Sequence, residues 1–96
     1  MPNKSAIKLI TAEISALESL LETIDDSFDH AMSVIASCSG KTIVVGIGKS
    51  GPVGNKMAAT FASLGTPAFF IHAGDAAHGD LGMFANEDVC ILISYS

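Results

Sequence analysis

Apolar residues recur at Ile7, Ile10, Ile14, Leu17, Leu21, Ile24, Phe28, Ala31 and Ile35, in steps of three and four. That spacing lines one face of a helix and predicts helix over residues 4–37. The repeat is regular enough for a coiled-coil seam. The flanking positions argue against a free zipper. Thr11, Leu20, Ser27, Met32 and Val34 stand beside Glu13, Glu18 and Asp25, where partner-selecting charges would be needed. The face is therefore expected to pack on its own domain or on a sister subunit. Asp25-Asp26-Ser27 is a candidate cap at which the segment would divide into two helices, and Ser37-Cys38-Ser39-Gly40 ends it.

The pattern changes after Gly40. Thr42 to Ile47 is a β-branched, apolar run without alternation, which suits a central parallel strand covered on both faces. Gly48-Lys49-Ser50-Gly51-Pro52 follows. Val53 to Leu64 then reads as helix, with Pro52 near its first turn, where a missing N–H costs little. Gly65-Thr66-Pro67 punctuates, and Ala68 to Ile71 predicts a second strand. Ala73 to Met83 is rich in Gly and Ala and predicts a short helix around Asp75–Leu81. Asn86-Glu87-Asp88 turns the chain into a third apolar strand, Val89 to Ile93, followed by Ser94-Tyr95-Ser96.

Strand–helix–strand–helix–strand with doubly apolar strands implies an α/β fold, a three-layer sandwich around a parallel sheet with right-handed crossovers. The expected division is residues 1–40 as N-terminal helices packing on the sheet and residues 41–96 as the sheet domain. Internal repeats and low-complexity tracts are absent from the sequence. A three-stranded parallel sheet would leave long unpaired edges. The chain is therefore expected to be the N-terminal part of a larger domain, its sheet incomplete; the alternative is a small domain closed by dimerisation.

Composition narrows the chemistry. At 49% hydrophobic and 16% charged over 96 residues, the chain is not a disordered one. Five Lys, no Arg and ten acidic residues give a net charge of −5, so no basic face is available for nucleic acid. Without Arg there is no guanidinium clamp. A bound anion must be held by backbone N–H groups, hydroxyls, a helix dipole and at most a Lys. Cys38 and Cys90 make neither a disulfide scaffold nor a metal-binding spacing. No apolar run approaches the ~18 residues of a membrane span, and no secretory signal is seen, so a cytoplasmic setting without a membrane partner is expected.

Gly46-Ile47-Gly48-Lys49-Ser50-Gly51 matches G-x-G-x-x-G between a strand and a helix, a tight turn that aims a helix N-terminus at an anion. A P-loop is rejected, because its first glycine would have to stand at Ile43. A dinucleotide fingerprint wants an acidic residue closing strand two, where this chain has His72. A smaller phosphorylated ligand is preferred. If strand three lies beside strand one and strand two on the other side, the strand order reverses between strands one and three, where open parallel sheets bind ligands. Ser50 from the first loop and Ser94 and Ser96 from the last would then meet in one crevice. Each such donor to an anion is worth roughly 1.5–3 kcal/mol. Ordinary strand-end turn chemistry is the plain alternative for Ser94 and Ser96.

These residues, with Lys56-Met57-Ala58-Ala59-Thr60-Phe61-Ala62-Ser63, Gly65-Thr66-Pro67, Ala76-Ala77-His78-Gly79-Asp80-Leu81-Gly82 and Ile93-Ser94-Tyr95-Ser96, resemble the sugar isomerase (SIS) domain of D-arabinose-5-phosphate isomerases. The resemblance runs in order from residue 42 to residue 96. It implies a SIS, flavodoxin-like sheet and interconversion of D-arabinose 5-phosphate and D-ribulose 5-phosphate, in the service of lipopolysaccharide or capsule synthesis. It implies phosphate contacts at Gly48, Ser50, Ser94 and Ser96, catalytic roles for Lys49 and His78, a substrate-contacting pair in Gly65 and Thr66, and zinc binding at His72. The resemblance also implies that the family's acidic catalytic residues, and a further His, lie beyond the equivalent of residue 96, so residues 1–96 look like half an active site. A homo-oligomer, dimer or tetramer, is expected.

Aldose–ketose isomerisation moves a proton between C1 and C2 through an enediol and needs an acid, a base and cover for the enediolate. Lys49, at a helix start where the dipole disfavours its charge, suits phosphate or enediolate oxygen; its plain alternative is a solvated loop Lys. His78 is the acid/base candidate, unless Asp75 or Asp80 simply satisfies it. His72, His78 and Asp75 match no strong metal motif, so no cofactor is expected to be required and any zinc is expected to be incidental or inhibitory. His30 reads as a surface residue and Glu87 and Asp88 as turn residues. A non-catalytic phosphosugar-binding module and an interaction fragment are the competing functions.

Overall fold

The computed structural model describes residues 2–77 and 80–95. The chain divides into two compact units, Met1–Met32 and Ser33–Ser96. In the first lies helix α1, Pro2–Leu21, and α2, Asp26–Ala36, begins there and continues into the second. The expected division comes at residues 22–25. Thr23 Oγ1 donates to the Leu20 carbonyl (2.8 Å), which closes α1. Asp25 then caps α2, accepting from the Ser27 N–H (2.9 Å) and from the Ser27 hydroxyl. The Ser27 hydroxyl, then the Ser27 amide, hold the Asp25 carboxyl below its usual range. Ile7, Ile10, Ile14, Leu17 and Leu21 remain half exposed or more. Ile14, Leu17, Leu20, Leu21 and Ile24 line an apolar groove of about 340 Å³.

The second unit is built on three parallel strands, β1 (Thr42–Gly46), β2 (Ala68–His72) and β3 (Val89–Ile93), in the order β2-β1-β3. Thr42 is level with Ala68 and Val89, and Gly46 with His72 and Ile93. Only β1 is buried along its whole length, with Val44 at 0% exposure. This matches the expectation of a central strand at Thr42–Ile47 covered on both faces. β3 has a neighbour on one side only and its burial alternates, leaving Leu92 75% exposed. The β-branched run marks the centre of the sheet and does not by itself tell a centre from an edge.

Helix α3 (Ser50–Ser63) covers the face of β1 and β2 that carries Val44 and Phe70. It begins three residues before the expected Val53, so Pro52 is its third residue, still within the first turn where no intrahelical N–H is required. A Cβ on Gly54 would stand 2.9 Å from Phe70 Cε1 and 3.1 Å from Val44 Cγ1, so the bare backbone is what lets α3 approach the sheet. On the opposite face Ile43, Val45 and Ile71 form the core, with Phe69, Ala73, Ala76 and Phe84 against them. Burying each of Ile43, Val45 and Ile71 contributes about 1.5–3 kcal/mol. That cover comes from a short helix α4 (Ala73–Ala77) and from Phe84, just beyond a 3₁₀ turn over Asp80–Met83, where one helix over Asp75–Leu81 was expected.

Asp88 does more than turn the chain. Its carboxylate accepts from the N–H groups of Lys41 (2.8 Å) and Ala85 (2.8 Å) and pairs with Lys41 Nζ (3.2 Å). It thereby joins the entrances of β1 and β3. The two backbone amides, Lys41 first, hold its carboxyl below the ordinary carboxylate range.

Candidate functional site

The strand order reverses between β1 and β3, and a crevice of about 470 Å³ opens there at the carboxyl ends of the strands. It is lined by Ile47, Gly48, Lys49, Ser50 and Val53 from the first loop and helix, and by Ile93 and Tyr95 from the last strand. Gly48 makes the turn, with φ +58°, a conformation that costs a residue bearing a Cβ roughly 1–2 kcal/mol. Gly46 lets the turn close: a Cβ there would be 2.9 Å from the Ser50 carbonyl oxygen. The N–H groups of Ser50 and Gly51 bond back to the carbonyls of Ile47 (3.1 Å) and Gly48 (3.0 Å), and Pro52 has no N–H. The first turn of α3 therefore offers an anion its dipole, the Ser50 hydroxyl and the Lys49 ammonium, more than a row of free amides. Lys49 is the single charged residue among those lining the crevice.

Ser94 follows β3, exposed, between the lining residues Ile93 and Tyr95. His78 and Ser96 lie outside the described residues. Gly65 and Thr66 are not brought to the crevice. They precede β2 and close the C-terminus of α3, Gly65 N–H donating to Ala62 O (3.1 Å) and Thr66 N–H to Phe61 O (2.9 Å). That is the amino end of the strands, so within this chain the pair caps a helix and does not line the site.

His72 closes β2 beside Gly46. Its Nδ1 accepts from the Gly74 N–H (3.1 Å), and its Cδ2 edge lies 3.9 Å from where a Cβ on Gly51 would be. A second, smaller crevice of about 330 Å³ opens on this side, lined by Gly48, Gly51, Pro52, Asn55, Phe70 and His72. With Nδ1 accepting, the neutral ring carries its proton on Nε2. Zinc at Nε2 would have to displace that proton and break the Gly74 bond. Among the described residues no three His, Cys, Asp or Glu side chains are grouped to hold a metal ion. The described residues thus do not fit a zinc site.

Sequence reasoning missed Asn55 and the second crevice; only its place four residues after Gly51, on the same face of α3, could have signalled it. Cys38 and Cys90 are free thiols; Cys90 is exposed, and partial desolvation by its neighbours raises its thiol above the usual value. No helix among the described residues is long and apolar enough to cross a membrane.

The SIS domain model matches residues 35–96. The chain belongs to the SIS domain family. The SIS segment thus takes in the whole sheet, the glycine loop and both crevices. The chain is 54% identical over 84 residues to arabinose 5-phosphate isomerase GutQ of Salmonella typhimurium, covering 88% of this chain and 26% of that protein. It is 48% identical over 95 residues to arabinose 5-phosphate isomerase KdsD of Francisella tularensis, covering 96% of this chain and 29% of that one. A solved E. coli CFT073 structure in complex with arabinose 5-phosphate superposes with a TM-score of 0.86 at 47% identity, over 100% of this chain and 53% of that one. The chain thus spans between a quarter and a third of these curated relatives and about half of the solved neighbour.

Proposed function

We propose that this SIS chain carries the phosphate-binding half of an aldose–ketose isomerase that interconverts D-arabinose 5-phosphate and D-ribulose 5-phosphate through an enediol. The observation that carries the reading is the crevice between β1 and β3, with Lys49 and Ser50 at its wall and the start of α3 beside it. The relatives' activity and the arabinose 5-phosphate held by the solved neighbour support the choice of substrate.

In this reading Ser50, with Ser94 and Ser96, binds the phosphate. A hydroxyl donating to a phosphate oxygen contributes about 1.5–3 kcal/mol. Lys49 neutralises phosphate or the enediolate oxygen that develops as the proton leaves carbon. His78 is the proton carrier, its ordinary pKa near 6.5 suiting transfer at neutral pH. No metal is required, and zinc is incidental or inhibitory. The protein works in the cytoplasm as a homo-oligomer, and its product feeds lipopolysaccharide or capsule synthesis.

The test follows ketose formation from arabinose 5-phosphate by this chain and by the chain extended to its relatives' length. Turnover in the extended form, with binding but weak or no turnover in residues 1–96, is the expected result. Binding without turnover in both forms would make it a phosphosugar-binding module. Neither binding nor turnover would overturn the proposal.

A further inference from the structure

The His72 crevice is separate from the one assigned to phosphate, yet the two share Gly48 as a common wall. A Cβ on Gly48 would meet nothing within 4 Å, so nothing crowds the loop at the wall the two crevices share. The chemistry on the two sides differs. Lys49 lines the first crevice, whereas no Lys lines the second. What the second offers is the Asn55 amide, both donor and acceptor, and His72, whose Nδ1 already accepts from Gly74. The hydrogen bond from Gly74 fixes the tautomer, and the ring edge bearing Cδ2, next to Nε2, is turned towards Gly51 in the lining. Neutral donors and acceptors match hydroxyl groups, while a phosphate dianion is better served by Lys49 and the helix dipole.

We propose that Asn55 and His72 form a hydroxyl-binding subsite, across Gly48 from the phosphate crevice, that takes the sugar chain of the phosphosugar. The subsite rests on the reading that the neighbouring crevice holds the phosphate. Its ligand is the polyhydroxylated carbon chain, with His72 donating from Nε2 and Asn55 donating or accepting. Asn55 and His72 then discriminate a phosphosugar from inorganic phosphate. They are specificity residues and take no proton from carbon.

The experiment measures the affinity of the protein for arabinose 5-phosphate and for inorganic phosphate, with Asn55→Ala, His72→Phe and His72→Gln as variants. Losing one such hydrogen bond is expected to weaken arabinose 5-phosphate about tenfold. Inorganic phosphate should bind each variant as it binds the original protein. His72→Gln, which keeps a donor, should recover most of the loss. Long-range proton–nitrogen spectra of the ligand-free protein should show the His72 proton on Nε2. Equal losses for both ligands, unchanged arabinose 5-phosphate affinity in Asn55→Ala and His72→Phe, or a proton on Nδ1 would each overturn the subsite. If the original protein binds arabinose 5-phosphate no better than phosphate, the phosphosugar reading fails as well, and the subsite with it.

Discussion

Gly54→Ala tests how the site is positioned, because two opposed effects meet at one atom. Alanine is favoured over glycine inside a helix by about 1 kcal/mol, so in an open position the change would stabilise α3. Here the new Cβ would stand 2.9 Å from Phe70 Cε1, 3.0 Å from Phe70 Cδ1 and 3.1 Å from Val44 Cγ1. Val44 is wholly buried in the central strand and cannot withdraw. Relief must come from Phe70 or from α3 itself. Overpacking of this kind costs typically ~1–3 kcal/mol, so the clash outweighs the helical gain and the expected net loss is about 1 kcal/mol. Gly51→Ala is the internal control. Its Cβ would meet Phe70 Cζ at 3.8 Å and His72 Cδ2 at 3.9 Å, which is ordinary contact, so the helical gain should survive. Urea unfolding of both variants should separate them by roughly 1.5–2 kcal/mol, with Gly54→Ala the weaker. A Gly54→Ala protein as stable as the Gly51→Ala protein would refute the close approach of α3 to β1.

Other expectations concern chemistry and pH. Ser50→Ala should weaken arabinose 5-phosphate roughly tenfold to a hundredfold by titration calorimetry, the worth of one hydroxyl bond to a charged oxygen. Lys49→Met should lower kcat of the extended protein more than it raises KM, if the ammonium meets charge that develops in the transition state. Asp88 has its carboxyl depressed in the folded state, so its stabilising effect is present above the ordinary carboxylate range and is lost as pH falls through the depressed value. Thermal melts below pH 4 should therefore steepen their decline in the original protein, and Asp88→Asn should flatten that part of the profile. Cys90, exposed but with its thiol raised by partial desolvation, should react with a disulfide reagent slowly at neutral pH and faster as pH rises.

The sheet was legible because its strands are short, uniformly apolar and set between glycine-rich turns, and the glycine loop located the reversal of strand order beside Lys49 and Ser50. The edges were less legible, because Leu92 and Cys90 belong to the same apolar run as the buried residues and are exposed only because no described element packs over their face of β3. The start of α3 was set too late since Gly51 and Pro52 look like loop residues, although both are tolerated in a first helical turn. Gly65 and Thr66, named by resemblance, lie at the helix-closing turn before β2. A segment that precedes a parallel strand stands at its amino end, away from a crevice at the carboxyl ends. Asp88 carried no periodic signal at all; its importance comes from the amides of Lys41 and Ala85, which converge only once the strands pair.

The central claim is where the phosphosugar sits, and amide chemical shifts during titration with arabinose 5-phosphate test it residue by residue. The largest changes are expected from Gly48 to Gly51, from Val53 to Asn55, at His72 and from Ile93 to Tyr95. Changes gathered instead at Gly65 and Thr66, or along α1, would contradict it.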